Sequence, residues 1–421
     1  MKQFKSLAVL LAVLLFALPL TGAASPKAAP LGSTVQVAPG YDYTRFMDAG
    51  ITLNVYNWGD YISDGGDVGS MDVNAEFEKL TGIRVNYTNF DTNESLYSKL
   101  KSGGGDYDVI FPSDYMIGRM VAEGMLAPLN FDNIPNYRKI GEQYKDLEYD
   151  PQNMYSVPYT WGYVGIVYNT TMVDEVVDSW SILWNEKYAG NILMFDNSRD
   201  AFGIAAKMLG MPINPTSTED IDKMTEALKQ QRPLVQAYVM DQIYDKMGGG
   251  EAALAPYYAG DAITMMADNS DLAFAVPKEG TNYFVDAMCI PATCRNQEAA
   301  EMYINFICET PVAVANTLYI GYSTPQVEAE NVLPAEVRNN PIAYPSDEML
   351  ANTETFSVLS PELGAYMDSA WTEVRSDTGP VNISGGGVPV WVIPAVLAVA
   401  AALAGVVIWR KKAAKKRNEM Y

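Results

Sequence analysis

The chain has 421 residues, 48% of them hydrophobic, and carries 51 acidic against 29 basic side chains for a formal net charge of −22. That length points to more than one folding unit with appendages. An excess of carboxylates leaves no basic surface to replace the counterions on phosphate, so a nucleic-acid binder is excluded. Histidine is absent, which removes Ser-His-Asp and Cys-His nucleophile systems and any His-ligated zinc.

Residues 1–25 place Lys2 and Lys5 before the apolar run Leu7–Leu20 and a small-residue stretch. This is the pattern of a secretory signal peptide. Residues 26–50 are rich in Pro, Ala and Gly without a period and read as a linker or loosely packed arm. Ile51, Leu53 and Val55 then alternate as a buried strand, which breaks into Asn57-Trp58-Gly59-Asp60-Tyr61. A loop leaving the C-terminal end of a strand in an open α/β sheet is where ligands bind. Two aromatic faces and a carboxylate on that loop suit an organic cation; core aromatics beside a turn aspartate are the other reading.

Helical spacing follows over Met71–Leu80, stopped by Gly82, then a strand at Ile83–Tyr87 and a helix at Asn93–Lys101. Gly103–Gly105 lacks the Lys-Ser/Thr of a phosphate loop. It leads into the apolar strand Tyr107–Phe111 and the polar cluster Pro112-Ser113-Asp114-Tyr115. Strand and helix alternation of this kind predicts an α/β fold. Tyr159–Asn169 reads as a strand crossing to a second region, and Ile192–Phe195 as a short strand opening into Asp196–Asp200 and a helix to Met208. After a helix at Thr218–Lys229, the strand Leu254–Tyr258 delivers Ala259-Gly260-Asp261. Tyr283–Ile290 alternates so that Phe284, Asp286 and Met288 share one face. A carboxylate in the middle of a buried strand needs a cationic partner, from a ligand or from elsewhere in the chain.

Glu298–Cys308 is helical and Gly321–Pro325 a loop, with further helices running to about Arg375. Cys289, Cys294 and Cys308 lack metal spacing; one disulfide with a spare thiol and three buried thiols both fit. Residues 377–387 form a Gly-rich tether. Val388–Trp409 is an uncharged apolar run of bilayer-spanning length, and residues 410–421 open with Arg410, Lys411 and Lys412. The expectation is a C-terminal transmembrane helix with a basic cytoplasmic tail and the binding domain outside, in the extracytoplasmic or periplasmic space.

The fragments YNWGDYI, FEKLTGIRV, NESLYSKLKSG, YDVIFPSDYM, SVPYTWGYVGIVYN, SWSILWNEKYAG, VPKEG, INFI and IGYSTP occur in that order over Ile51–Arg375. The ordered set resembles the polyamine-binding proteins of bacterial ABC uptake systems, the spermidine/putrescine family. The resemblance implies a two-lobed, type II periplasmic-binding-protein (Venus flytrap) fold. Lobe one would comprise 51–160 and 285–323, and lobe two 161–284 and 324–376. It implies a cleft lined by Trp58, Asp60, Tyr61, Ser113 and Tyr115 from lobe one and by Asp200, Tyr258 and Asp261 from lobe two. Phe284, Asp286 and Tyr322 would lie near the hinge. Asn197 stands where the family tends to have a carboxylate, Tyr258 and Phe284 replace tryptophans, and Met240 and Phe356 fall where polar side chains are common. Asp60, Phe284 and the Tyr258–Asp261 spacing are more similar to the putrescine branch, so a short diamine is expected.

The implied partners are a polyamine, separate ABC permease and ATPase subunits, and the membrane through the C-terminal helix. Neither cofactor nor metal is expected, and with no nucleophile elbow or cofactor motif the chain is not expected to be an enzyme. A polyamine-sensing receptor ectodomain is the alternative, against which stands a tail too short for a signalling module. A binding protein for another small organic cation is a further alternative.

Overall fold

The backbone is organised around one long strand that serves two sheets. The computed structural model describes residues 33–376. Its strands are β1 (Thr52–Trp58), β2 (Arg84–Phe90), β3 (Val109–Ile110), β4 (Ser156–Asn169), β5 (Ile192–Phe195), β6 (Val235–Val239), β7 (Leu254–Tyr258), β8 (Leu272–Ala275) and β9 (Tyr283–Cys289). They hydrogen-bond in the order β2-β1-β3-β9-β4-β7-β5-β6, with β8 also on β4. The 14-residue β4 is buried along nearly its whole length. Its first half runs antiparallel to β9 from Ser156 opposite Cys289 to Tyr163 opposite Tyr283. Its second half runs antiparallel to β7 from Val164 opposite Tyr258, and to β8. A register shift between Pro158 and Thr160 bends β4 within its β9 pairing, as β-bulges do.

Each lobe is a parallel ladder closed by antiparallel strands. In the first, β1 pairs in parallel with both β2 and β3. Leu53, Val55, Phe77 and Tyr303 fill its core, the last two from helices Val73–Thr81 and Gln297–Ile307. In the second, β5 pairs in parallel with β6 and β7. Trp180, Phe195, Phe202 and Leu228 are packed beneath it. Parallel strands covered on both faces read as apolar runs, and β5, with all four residues buried, is one. The two lobes fall within a single compact unit.

Residues 33–50 do not behave as a loose arm. Val35 and Tyr43 are buried. Glu309 accepts hydrogen bonds from the Tyr43 hydroxyl at 2.8 Å and the Ala38 N–H at 3.0 Å. Lys139 approaches the same carboxylate at 3.4 Å in a buried ion pair. The segment is a strap across the first lobe, held by side chains that its Pro, Ala and Gly content does not advertise.

The expectation of a C-terminal transmembrane helix is corrected. Among the described residues no helix is long and apolar enough to cross a membrane. Residues 388–409 lie outside the described residues, as do 1–25, the tether 377–387 and the tail 410–421. The fold of the described residues is the two-lobed α/β architecture. Among the described residues the three cysteines are free thiols.

Candidate ligand-binding site

The C-terminal end of β1 builds one wall. Asn57, fully buried, accepts the Trp58 backbone N–H at 2.8 Å and donates to the Tyr61 carbonyl, folding the loop back on itself. Asp60 sits at the turn with φ +46°, a left-handed conformation that aspartate tolerates better than most residues. That turn sends the Asp60 side chain outward, where it is exposed, and buries Tyr61. The Trp58 indole donates to the Phe111 carbonyl at 2.8 Å and packs on Phe90, so the ring is held as a fixed wall.

Tyr61 reaches the hinge, where its hydroxyl lies 2.7 Å from Asp286 Oδ2 and 2.5 Å from Thr160 Oγ1. The ionised carboxylate only accepts, so Tyr61 donates to it and Thr160 donates to Tyr61. Asp286 Oδ1 is buried without a partner. The Tyr61 ring meets Tyr322 edge-on at 4.8 Å. Ser113 forms a bridge to Asp286 and exchanges hydrogen bonds with Asn93. Tyr115 donates to Glu94 at 2.9 Å.

From the second lobe, Asp200 lies in the first turn of helix Ser198–Met208, whose N-cap is Asn197. Asp200 Oδ2 accepts from Asn197 Nδ2 at 2.8 Å and from the Tyr258 hydroxyl at 2.7 Å, while Oδ1 is buried and unpartnered. Asp261 lies in the first turn of helix Ala259–Asp268 and accepts from the Tyr244 and Tyr322 hydroxyls, the latter at 2.7 Å. A Cβ on Gly260 would fall 2.2 Å from the Tyr322 ring, so glycine is what lets that ring close on the helix.

These groups enclose a cavity of about 640 Å³, including space open to solvent at its mouth. Asp114, Asp200, Asp241, Asp261 and Asp286 line it, with no lysine or arginine among the lining residues. Asp114, Asp200 and Asp261 each occupy the first turn of a helix, where the N-terminal N–H groups favour an anion. Burial nevertheless pushes the carboxyls up: Asp286 to about 6, Asp200 and Asp261 to about 7, and Asp114 to about 8. Unpaired anions in a dry site resist ionising. Burial also raises the Tyr61, Tyr258 and Tyr322 hydroxyls well above their ordinary value, which keeps them donors.

Of the residues anticipated from the sequence, Trp58, Tyr61, Ser113, Tyr115, Asp200, Tyr258, Asp261, Phe284, Asp286 and Tyr322 line this cavity. Asp60 does not line it; it faces Asp241 and Asp261 only as a nearby like charge. Asn93, Asp114, Asp241, Tyr244, Tyr257 and Asn282 line it without having been anticipated. Of these, Asp114 stands beside Ser113 in the polar cluster after β3 and was within reach of the sequence. Asp241 and Tyr244 come from the turn after β6, a strand whose pattern is too weak to place. Met240 and Phe356 complete the apolar lining, and Arg199 stacks behind it, 4.4 Å over Phe356 and 5.1 Å over Tyr115.

A cleft between two α/β lobes, lined by aromatics and carboxylates, is the site of a solute-binding protein. The family model for bacterial extracellular solute-binding proteins matches residues 73–345, and the chain belongs to that family. Among curated relatives, a spermidine/putrescine-binding periplasmic protein of Escherichia coli is 34% identical over 305 residues, covering 72% of this chain and 86% of that protein. A putrescine-binding periplasmic protein of the same organism is 30% identical over 347 residues, covering 77% and 91%. Among solved structures, a spermidine/putrescine ABC transporter substrate-binding protein of Streptococcus pneumoniae matches with TM-score 0.65 and 34% identity, covering 77% of this chain and 99% of that one. The family binds solutes for ABC transporters, and the chain is not an enzyme.

Proposed function

We propose that this protein is the extracytoplasmic substrate-binding component of an ABC importer, capturing a polyamine, putrescine or spermidine, and handing it to separate permease and ATPase subunits. The observation that carries the reading is the pair of buried, unpartnered carboxylate oxygens, Asp200 Oδ1 and Asp286 Oδ1, in a cavity that holds no basic side chain. Each is an acceptor for an ammonium N–H. Trp58, Tyr258 and Phe284 supply faces for cation–π contact and for the methylene chain, at roughly 0.5–2 kcal/mol per cation–π contact. Acidic residues converging from both lobes favour closure only when a cation lies between them, because like charges brought together in a low dielectric repel. The names of the similar proteins support the same ligand class.

Putrescine has about six heavy atoms, and at a ceiling near 1.5 kcal/mol per atom its binding reaches ~9 kcal/mol, so a micromolar constant is expected. Isothermal titration of residues 33–376 with putrescine and with spermidine should show micromolar or tighter binding of at least one. Absence of both heat and thermal shift with every polyamine tried would remove the proposal.

A further inference from the structure

The carboxylates of the cleft are not equivalent. Asp114 spends both oxygens on the protein, accepting the Tyr115 N–H at 2.6 Å and the Val285 N–H at 3.3 Å. Asp200 has a resident counter-charge in its neighbour Arg199, a buried guanidinium. Asp261 likewise gives both oxygens to the protein, to the Tyr244 and Tyr322 hydroxyls, whereas Asp200 and Asp286 each keep one buried oxygen without a partner and the Asp241 side chain makes no hydrogen bond among the described residues. Asp286 lies on β9 at the hinge, and Asp261 lies between Tyr244 and Tyr322.

Asp241 lies at the mouth. It follows β6 in the second lobe and is exposed, yet it lines the cavity. A Cβ on Gly59 would fall 2.4 Å from Asp241 Oδ2, so this carboxylate touches the β1 loop of the opposite lobe across the opening. Among the described residues no hydrogen bond or ion pair engages it, and the charges around it are the like charges of Asp60 and Asp91. Closing the lobes brings Asp60 and Asp241 together, a juxtaposition that a cation between them would relieve. A diamine occupies the two buried open oxygens, Asp200 Oδ1 and Asp286 Oδ1; a third ammonium is needed for the mouth. The unpartnered buried oxygen of Asp286 at the inner end fixes where such a chain starts.

We propose that Asp241, against Gly59, is a specificity-determining residue that provides a third anionic position, so that the cleft prefers a linear triamine to a diamine. The inference rests on the polyamine reading and deepens it.

Titration calorimetry with spermidine and putrescine on the parent protein, Asp241→Asn and Asp241→Glu tests it. The parent should bind spermidine more tightly than putrescine. Asp241→Asn should weaken spermidine about fivefold, the scale of one partly screened ion pair, while changing putrescine less than twofold. Asp241→Glu should retain the preference, and neither variant should melt below the parent, since the side chain makes no internal hydrogen bond and Asp241→Asn relieves repulsion from Asp60 and Asp91. Equal loss for both amines, no loss for spermidine, or a parent that prefers putrescine overturns the assignment of Asp241 while leaving the polyamine reading intact. A parent that binds neither amine removes the polyamine reading itself.

Discussion

Replacing Asp286 with asparagine separates a residue kept for binding from one kept for folding, because the two roles predict opposite signs. Asp286 is 4% exposed and one of its oxygens has no partner. Burial lifts its carboxyl from an ordinary 3.8 to about 6. A carboxyl raised in the folded state contributes stability that is full below the unfolded value and lost as pH rises through the folded one. At pH 8 the charge therefore costs the ligand-free fold on the order of 3 kcal/mol, at ~1.4 kcal/mol per pH unit of displacement. Asparagine removes that charge while its carbonyl still accepts the Tyr61 hydroxyl. The variant should be more stable than the parent at pH 8 by up to ~3 kcal/mol, or roughly 4 °C in Tm for about 340 ordered residues. The gain should vanish near pH 4. Binding should move the other way, since a hydrogen bond to a charged acceptor contributes about 1.5–3 kcal/mol, a loss of roughly 10- to 150-fold. Scanning calorimetry at the two pH values, with titration calorimetry at pH 8, measures both. A variant less stable than the parent at pH 8 would make Asp286 a structural residue, and unchanged affinity would place it outside the site.

Two further outcomes are expected. Asp200 and Asp261, raised to about 7 when the cleft is empty, should ionise as a cation arrives. Binding near pH 6.5 should then release one to two protons, and affinity should rise on the order of tenfold per carboxylate between pH 6 and 8. Binding enthalpies measured in buffers of different ionisation heat test this, and identical enthalpies in all buffers would contradict it. Glu309→Ala should destabilise the first lobe by about 3–5 kcal/mol, because it strands Lys139 in the interior and frees the strap at Tyr43 and Ala38. Urea denaturation measures the loss. Polyamine affinity of the folded fraction should be unchanged, since Glu309 does not line the cavity.

The architecture was legible where strands carried apolar runs. β1, β5 and β7 are buried over most of their length, and the loops leaving β1 and β7 announce themselves by a change to aromatic and acidic residues. β6 and β8 were not read, because each is short and only partly buried and so lacks a one-sided pattern. The strap went unread for the opposite reason. Its anchors are isolated among Pro, Ala and Gly, and what holds Tyr43 and Ala38 is Glu309, 266 and 271 positions away in the chain. Composition can report a local tendency to be irregular, but it is blind to a distant acceptor. Hydropathy of the run at 388–409 supplied the expectation of a spanning helix; that run lies outside the described residues, among which no helix is long and apolar enough to cross a membrane.

The binding site divides along the same line. Asp261 follows a strand end rich in aromatics and Asp286 interrupts a buried strand, so the pattern drew attention to both, while Asp200 came from the resemblance. Asp60 had that signal too, and the structure assigns it differently. Its left-handed turn, which brings Tyr61 inward to Asp286, necessarily turns the Asp60 side chain out. The inference of a short diamine leaned on Asp60, and that support weakens once its carboxylate is outside the lining. The carboxylate that does reach the β1 loop is Asp241, which belongs to the other lobe and stands against Gly59. Nothing in the sequence near either residue encodes that meeting, because the two come from opposite lobes, far apart in the chain. Ligand length is therefore read in this protein from a contact between lobes rather than from a motif, and the pairing of Gly59 with Asp241 is where a substitution should shift selectivity without disturbing the inner carboxylates.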